Sequence, residues 1–116
     1  MSYKKEALRL HEKLKGKIEV KPKIKVNQKS LSLLYTPGVA EVVRAINKNS
    51  MEVYKYTGKG NSIAIISDGS RVLGLGNQGA EAAIPVMEGK ALIYKVFGDV
   101  DAVPLCLRTQ DAKEII

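Results

Sequence analysis

The sequence predicts an α/β domain, layered as helices on a mostly parallel sheet. Three observations carry that expectation. Residues 62–67, SIAIIS, are apolar on both faces and β-rich, as a buried strand is. Residues 101–107, DAVPLCL, read as another strand. Between them, Ala80 to Phe97 carries a helical pattern, interrupted at Pro85, where the helix is expected to restart. Alternation of this kind favours parallel strands joined by helices.

The remaining elements follow along the chain. Residues 3–14 place Ala7, Leu10 and Leu14 at helical spacing, and Gly16 suits the end of that helix. His11 lies on the boundary of the same face and reads as structural; no second histidine exists to make a metal pair. Residues 17–26, KIEVKPKIKV, alternate, with Lys21, Lys23 and Lys25 on one side. This predicts an edge strand that uses lysines and Pro22 to refuse further pairing. Thr36 suits an N-cap and Pro37 a first helical residue, followed by an apolar stripe of Val39, Val42, Val43 and Ile46. A single helical turn is expected around Val53. Asp68-Gly69 makes a turn, and 71–75 forms a short strand. Thr109 and Asp111 cap a last helix, AKEII.

The chain has 116 residues, 45% hydrophobic and 27% charged, which suits one globular domain. No apolar run approaches a membrane span, and the N-terminus lacks the apolar core of a signal peptide. One cysteine, Cys106, excludes an internal disulfide framework and reads as a small buried hydrophobe. These features point to the cytoplasm. The net charge is +7, and Lys and Arg far outnumber Glu in the first 29 residues. That excess suits a solvated face, an anionic substrate or nucleic acid. No aromatic is interleaved among the lysines to stack bases, so nucleic acid is not the expected partner.

One motif invites a specific reading. Residues 73–79, LGLGNQG, match G-x-G-x-x-G through Gly74, Gly76 and Gly79. A dinucleotide turn needs a buried strand directly before it and an acid at the far end of the next strand. Here a turn separates 62–67 from the glycines. Asp99 and Asp101 precede the next strand rather than follow it, although Arg108 could meet a 2′-phosphate. The other reading is a set of glycines that permit tight turns and close packing.

Three further residues stand in unusual places. Tyr35 precedes a helix start, YTPGVA, where free amides at Gly38 and Val39 would attract a carboxylate. A phenol beside that carboxylate could donate a proton; alternatively, Tyr35 packs on the first turn. Lys90 shares a helical stripe with Val86, Ile93 and Phe97. A lysine there either snorkels to the surface or is desolvated into a neutral amine suited to general-base work. Arg71 follows the end of the buried strand, where α/β sheets bind ligands, and can grip a carboxylate at two points or simply occupy a turn.

Taken together, YTPGVA, SDGSRVLGLGNQG and PVMEGKA resemble, in this order, the N-terminal domain of malic enzyme of the short microbial type. The similarity runs from about Gly16 to the last residue. It implies oxidative decarboxylation of malate to pyruvate and carbon dioxide, with NAD or NADP and a divalent metal, Mn or Mg. It also implies that Tyr35 is the general acid, Lys90 the general base, that Arg71 holds a malate carboxylate and that Leu73 lines the site. The family's cofactor domain and its metal carboxylates lie downstream of residue 116, so no cofactor or metal ligands are expected within 1–116. The chain then reads as an incomplete N-terminal substrate domain, a fragment or one piece of a split enzyme, inactive alone and dimeric by resemblance. A stand-alone module that binds a dicarboxylate or a partner without catalysis is the competing expectation.

Overall fold

The computed structural model describes residues 2–116. Its elements run α1 (Tyr3–Leu14), α2 (Gln28–Leu34), α3 (Val39–Lys48), α4 (Val53–Tyr56), β1 (Ser62–Ser67), α5 (Ala80–Gly98), β2 (Asp101–Cys106) and α6 (Ala112–Ile115). Short 3-10 turns occupy Ser50–Glu52, Gly58–Asn61 and Leu73–Leu75. Two compact units divide the chain. One unites the N-terminal residues through Glu19 with Ser62–Ile116, and the other is Val20–Asn61.

The first unit is built on a β-α-β core. β1 and β2 pair in parallel, Ser62 opposite Asp101 and Ser67 opposite Cys106, and Leu107 N–H extends the ladder to the Ser67 carbonyl at 2.8 Å. The crossover is α5. The small parallel sheet with its helical connection bears out the α/β expectation. Ile65 on β1, Ala102 on β2 and Ala91 on α5 form the core, with Met87 packed against it. Three alanines, Ala80, Ala83 and Ala91, are the buried residues of α5. Small side chains let the helix lie close on the strands, which is how interior packing reaches its density.

Pro85 does not interrupt this helix: α5 runs through it from Ala80 to Gly98. The missing N–H forfeits one helical bond, which the packing of Met87 and Ala91 on the sheet offsets. Asp99, at φ 51°, ends the helix in the left-handed region. α1 is capped by Ser2 and closes one residue before the expected glycine, at Lys15. Lys17 then anchors the chain to α5: its N–H donates to Glu88 Oε2 at 2.9 Å and its Nζ to the Pro85 carbonyl at 2.8 Å. His11 Nδ1 bonds the Ala7 carbonyl at 2.7 Å, a local structural role on α1. The apolar positions of α1 nevertheless remain exposed, Leu8, Leu10 and Leu14 among them.

Two expected strands are absent. Residues 17–26 form no ladder and are irregular, with Lys21, Lys23 and Lys25 exposed. Alternation makes a strand only where a neighbour completes its hydrogen bonds, and no strand pairs with this segment among the described residues. Residues 71–75 fold instead as a tight turn, with Leu75 N–H on the Val72 carbonyl at 2.9 Å.

In the second unit, Asn27 caps α2 through a reciprocal bond with Ser30. The helix start expected at Thr36 lies further on: Gly38 is the N-cap and α3 begins at Val39. The half-buried face of α3 includes Val42, Ala45 and Ile46, while Val43 is exposed. The single turn around Val53 is present as α4.

Candidate functional site at the carboxyl ends of the strands

Both strands of the β-α-β core end at one edge, and the chain between β1 and α5 loops over that edge. The loop is closed at its base by two amides, Gln78 N–H and Gly79 N–H, both on the Gly69 carbonyl at 3.0 and 3.2 Å. Gly69 has φ 69°, and a Cβ there would stand 2.0 Å from the Gly79 carbonyl oxygen. The crossing is therefore open to glycine alone. Within the loop, Val72 N–H donates to the Gly76 carbonyl at 2.8 Å, and Gln78 Nε2 to the Leu75 carbonyl at 2.7 Å. Val72 is buried beneath, while Arg71 and Leu73 are exposed above. Leu73 holds a left-handed backbone, φ 53°. For a residue with a Cβ this costs on the order of 1 kcal/mol, and such strain gathers at ligand sites.

Charges around this edge are already disposed. The Asp68 carboxyl is held below its ordinary value by hydrogen bonds from Ser70, whose N–H lies 2.9 Å away. Glu81, in the first turn of α5, is held low by its hydrogen bond with Arg108, Nε to Oε1 2.6 Å. Arg108 is thus paired with a carboxylate. Partial burial pushes the Cys106 thiol up; the cysteine expected to be buried is half-buried.

Lys90 lies on the same unit but lower. It stands about three helical turns, roughly 15 Å of rise, from the start of α5. Its side chain is exposed, as are Ile93 and Phe97 of its stripe. The stripe predicted from spacing is not the buried one. Ala91 and Met87 pack on the sheet and Ala83 is buried instead, so desolvation of Lys90 is not achieved by this unit's own core. A separate cleft of about 400 Å³ lies between α1 and α5, lined by Leu10, Leu14, Lys17, Glu88 and Leu92, and contains none of the predicted site residues.

Tyr35 and Gly38 belong to the second unit. Tyr35 closes α2, donating its N–H to the Leu31 carbonyl at 2.8 Å, and is 67% exposed. The amides expected to be free at this corner are taken. Gly38 N–H donates to the Ser32 carbonyl at 2.8 Å and Val39 N–H to the Tyr35 carbonyl at 2.7 Å. This corrects the expectation that Gly38 offers its amide to a carboxylate. A Cβ on Gly38 would sit 2.5 Å from the Leu33 carbonyl oxygen, so the glycine permits the close passage that holds Tyr35 at the corner.

Asp101 opens β2 opposite Ser62, at the other end of the strands from Gly74 and Gly76. Among the described residues, no group of three or more His, Cys, Asp and Glu side chains comes together to hold a metal ion. No helix among them is long and apolar enough to cross a membrane.

Two features escaped the sequence. The close crossing at Gly69 was visible only as a D-G turn signal. Nothing marked Gln110, whose amide pairs with that of Asn77 in both directions: Asn77 Nδ2 to Gln110 Oε1 at 3.1 Å, and Gln110 Nε2 to Asn77 Oδ1 at 3.0 Å.

A loop closed over the carboxyl ends of parallel strands defines the class: an α/β domain with a loop where such sheets bind ligands. The family follows from comparison. The chain belongs to the malic enzyme family, since the family model "Malic enzyme, N-terminal domain" matches residues 15–116. It is 53% identical over 117 residues to the bifunctional malic/malolactic enzyme of Bacillus subtilis, covering 100% of this chain and 28% of that protein. A probable NADP-dependent malic enzyme of Rickettsia prowazekii is 53% identical over 113 residues, with 96% of this chain and 15% of that one covered. The crystal structure of an NAD-dependent malic enzyme from Thermotoga maritima superposes with a TM-score of 0.91 at 51% identity, over 94% of this chain and 31% of its own. The chain spans less than a third of the length of each of these relatives.

Proposed function

We propose that this domain binds malate and carries the proton transfers of its oxidative decarboxylation to pyruvate and carbon dioxide. The observation that supports this most is the family match. Tyr35, Arg71, Leu73 and Lys90 all fall within the stretch matched to malic enzymes. Arg71 and Leu73, moreover, ride on the closed, strained loop at the ligand edge.

In this reading, the exposed Arg71 guanidinium receives a malate carboxylate at two points, and Leu73 borders the carbon chain. Lys90, as a neutral amine, takes the proton of the C2 hydroxyl. After carbon dioxide leaves, Tyr35 Oη delivers a proton to C3 of the enol, and the product is pyruvate. Gly38 serves by shaping the corner that holds Tyr35. NAD or NADP, when bound, would take the hydride from C2 before carbon dioxide leaves, and a divalent cation would stabilise the enolate oxygen; this domain's residues handle the protons. The cover that Lys90 needs for desolvation is assigned to the polypeptide that, in the relatives, lies outside the matched part.

The test is formation of NAD(P)H from malate by the whole protein that carries this domain, beside residues 1–116 alone, which are expected to form none. Lys90→Ala and Tyr35→Phe should each lower kcat by about 100-fold or more, as loss of an acid or base does, with KM for malate changed only a few-fold. A loss confined to KM would remove both assigned roles. Malate binding without turnover by the whole protein would make the domain a dicarboxylate-binding module.

A further inference from the structure

The loop that carries Arg71 and Leu73 is tied down by one side chain from outside it. Gln110 lies beyond β2, just before α6. Its amide reaches the exit of the loop through the reciprocal pair with Asn77, at 3.0 and 3.1 Å. The same Nε2 faces the entry of the loop, 3.5 Å from the Asp68 carbonyl. Both Asn77 bonds are good neutral hydrogen bonds; the Asp68 contact is at the weak limit. The loop's own bonds, Gln78 and Gly79 on Gly69 and Val72 on Gly76, close it upon itself but do not attach it to β2. Among its side chains with bonds shown here, Asn77 reaches beyond the loop to the segment that follows β2.

We infer that Gln110 is a positioning residue: acting through Asn77, it sets the Arg71–Leu73 loop over the carboxyl ends of β1 and β2. Neither amide is ionisable, so the hold is independent of pH across the neutral range. Gln110 needs no contact with substrate for this role. The inference rests on the functional reading above only in what the loop binds. The restraint itself is a property of the fold.

The experiment uses the whole protein with two readouts. Hydrogen exchange of the amides in residues 70–79 reads the restraint, and steady-state kinetics read its consequence. Gln110→Ala should speed exchange in that segment while leaving the β1 and β2 amides protected. It should raise KM for malate by about five- to thirtyfold, the range set by losing one to two neutral hydrogen bonds of about 1 kcal/mol each, with kcat kept within about twofold. Asn77→Ala should match it, and the double variant should lose no more than either single one, because each acts through the other. The exchanged pair Asn77→Gln with Gln110→Asn, which preserves the summed side-chain length, should recover the parent KM where each of those changes alone does not.

Unchanged exchange in Gln110→Ala overturns the inference, as does faster exchange with an unchanged KM, or additive losses in the double variant. Failure of the functional reading shows elsewhere: the unmodified protein would then form no NAD(P)H from malate. In that case the exchange measurement alone decides whether Gln110 holds the loop.

Discussion

The crossing at Gly69 offers the sharpest test of how the loop over the strand ends is built. Gly69→Ala places a Cβ 2.0 Å from the Gly79 carbonyl oxygen, 2.2 Å from its carbon and 2.9 Å from Ala80 N. All three are backbone atoms at the start of α5, so none can swing away. The φ of 69° adds about 1 kcal/mol for an alanine in the left-handed region. Moving the chains apart forfeits the bonds of Gln78 and Gly79 to the Gly69 carbonyl, about 1 kcal/mol each. The expected loss is therefore about 3 kcal/mol, a large part of a typical domain's stability.

Urea unfolding of the protein measures this, with amide exchange in residues 70–79 as the local readout. Two companions separate the causes. Gly69→Asn tolerates the left-handed φ but meets the same backbone, so it should be nearly as damaging if the clash dominates. Gly74→Ala meets nothing within 4 Å and should stay within about 0.5 kcal/mol of the parent. A Gly69→Ala variant within about 1 kcal/mol of the parent would refute the argument, and so would full rescue by asparagine.

Two further outcomes follow from the fold. Ala91→Leu inserts a large side chain where α5 meets the sheet at a fully buried alanine; overpacking should cost about 1–3 kcal/mol, read in the same urea titration. Glu81, held low by its hydrogen bond with Arg108, favours the folded state above its unfolded pKa, and that contribution fades as pH falls through the folded value. Because the pair is exposed, the effect on stability is small, so the test is direct: Arg108→Ala should raise the Glu81 carboxyl toward its ordinary value in an NMR titration. An unmoved Glu81 would contradict the assigned cause.

How much of this was legible in the sequence depends on how local each signal is. β1, β2 and α5 were placed correctly because their apolar runs and helical period are properties of the segments themselves, but α5 runs through Pro85 without the expected restart, and β1 buries only Ile65 while Ile63 and Ile66 are exposed, against the buried strand expected. Residues 17–26 were misread because a strand needs a neighbour, and alternation does not reveal whether one exists. The helix start at Thr36 failed for a similar reason. Carbonyls at the end of α2 take the amides of Gly38 and Val39, so the chain turns within YTPGVA and the helix starts at Val39. Lys90 shows a third kind of error. Helical spacing singles out the stripe with the bulkiest apolar groups, yet a helix laid close on a sheet buries its smallest ones, Ala83 and Ala91, and leaves Phe97 at 84% exposure.

The glycine motif condenses the same lesson. In a dinucleotide turn the first glycine follows the strand directly, so that the backbone meets the pyrophosphate at the helix start. Here β1 ends at Ser67, and Asp68 to Leu73 intervene before Gly74. Those added residues form the loop that lifts Arg71 and Leu73 above the strand ends, and they move the tight crossing from the motif to Gly69. Gly74, Gly76 and Gly79 have open space where a Cβ would point; Gly76 and Gly79 are spent on positive φ values of 75° and 83° that turn the chain back toward α5. The spacing G-x-G-x-x-G thus reports two sharp turns, and the distance between strand and first glycine decides what those turns can bind.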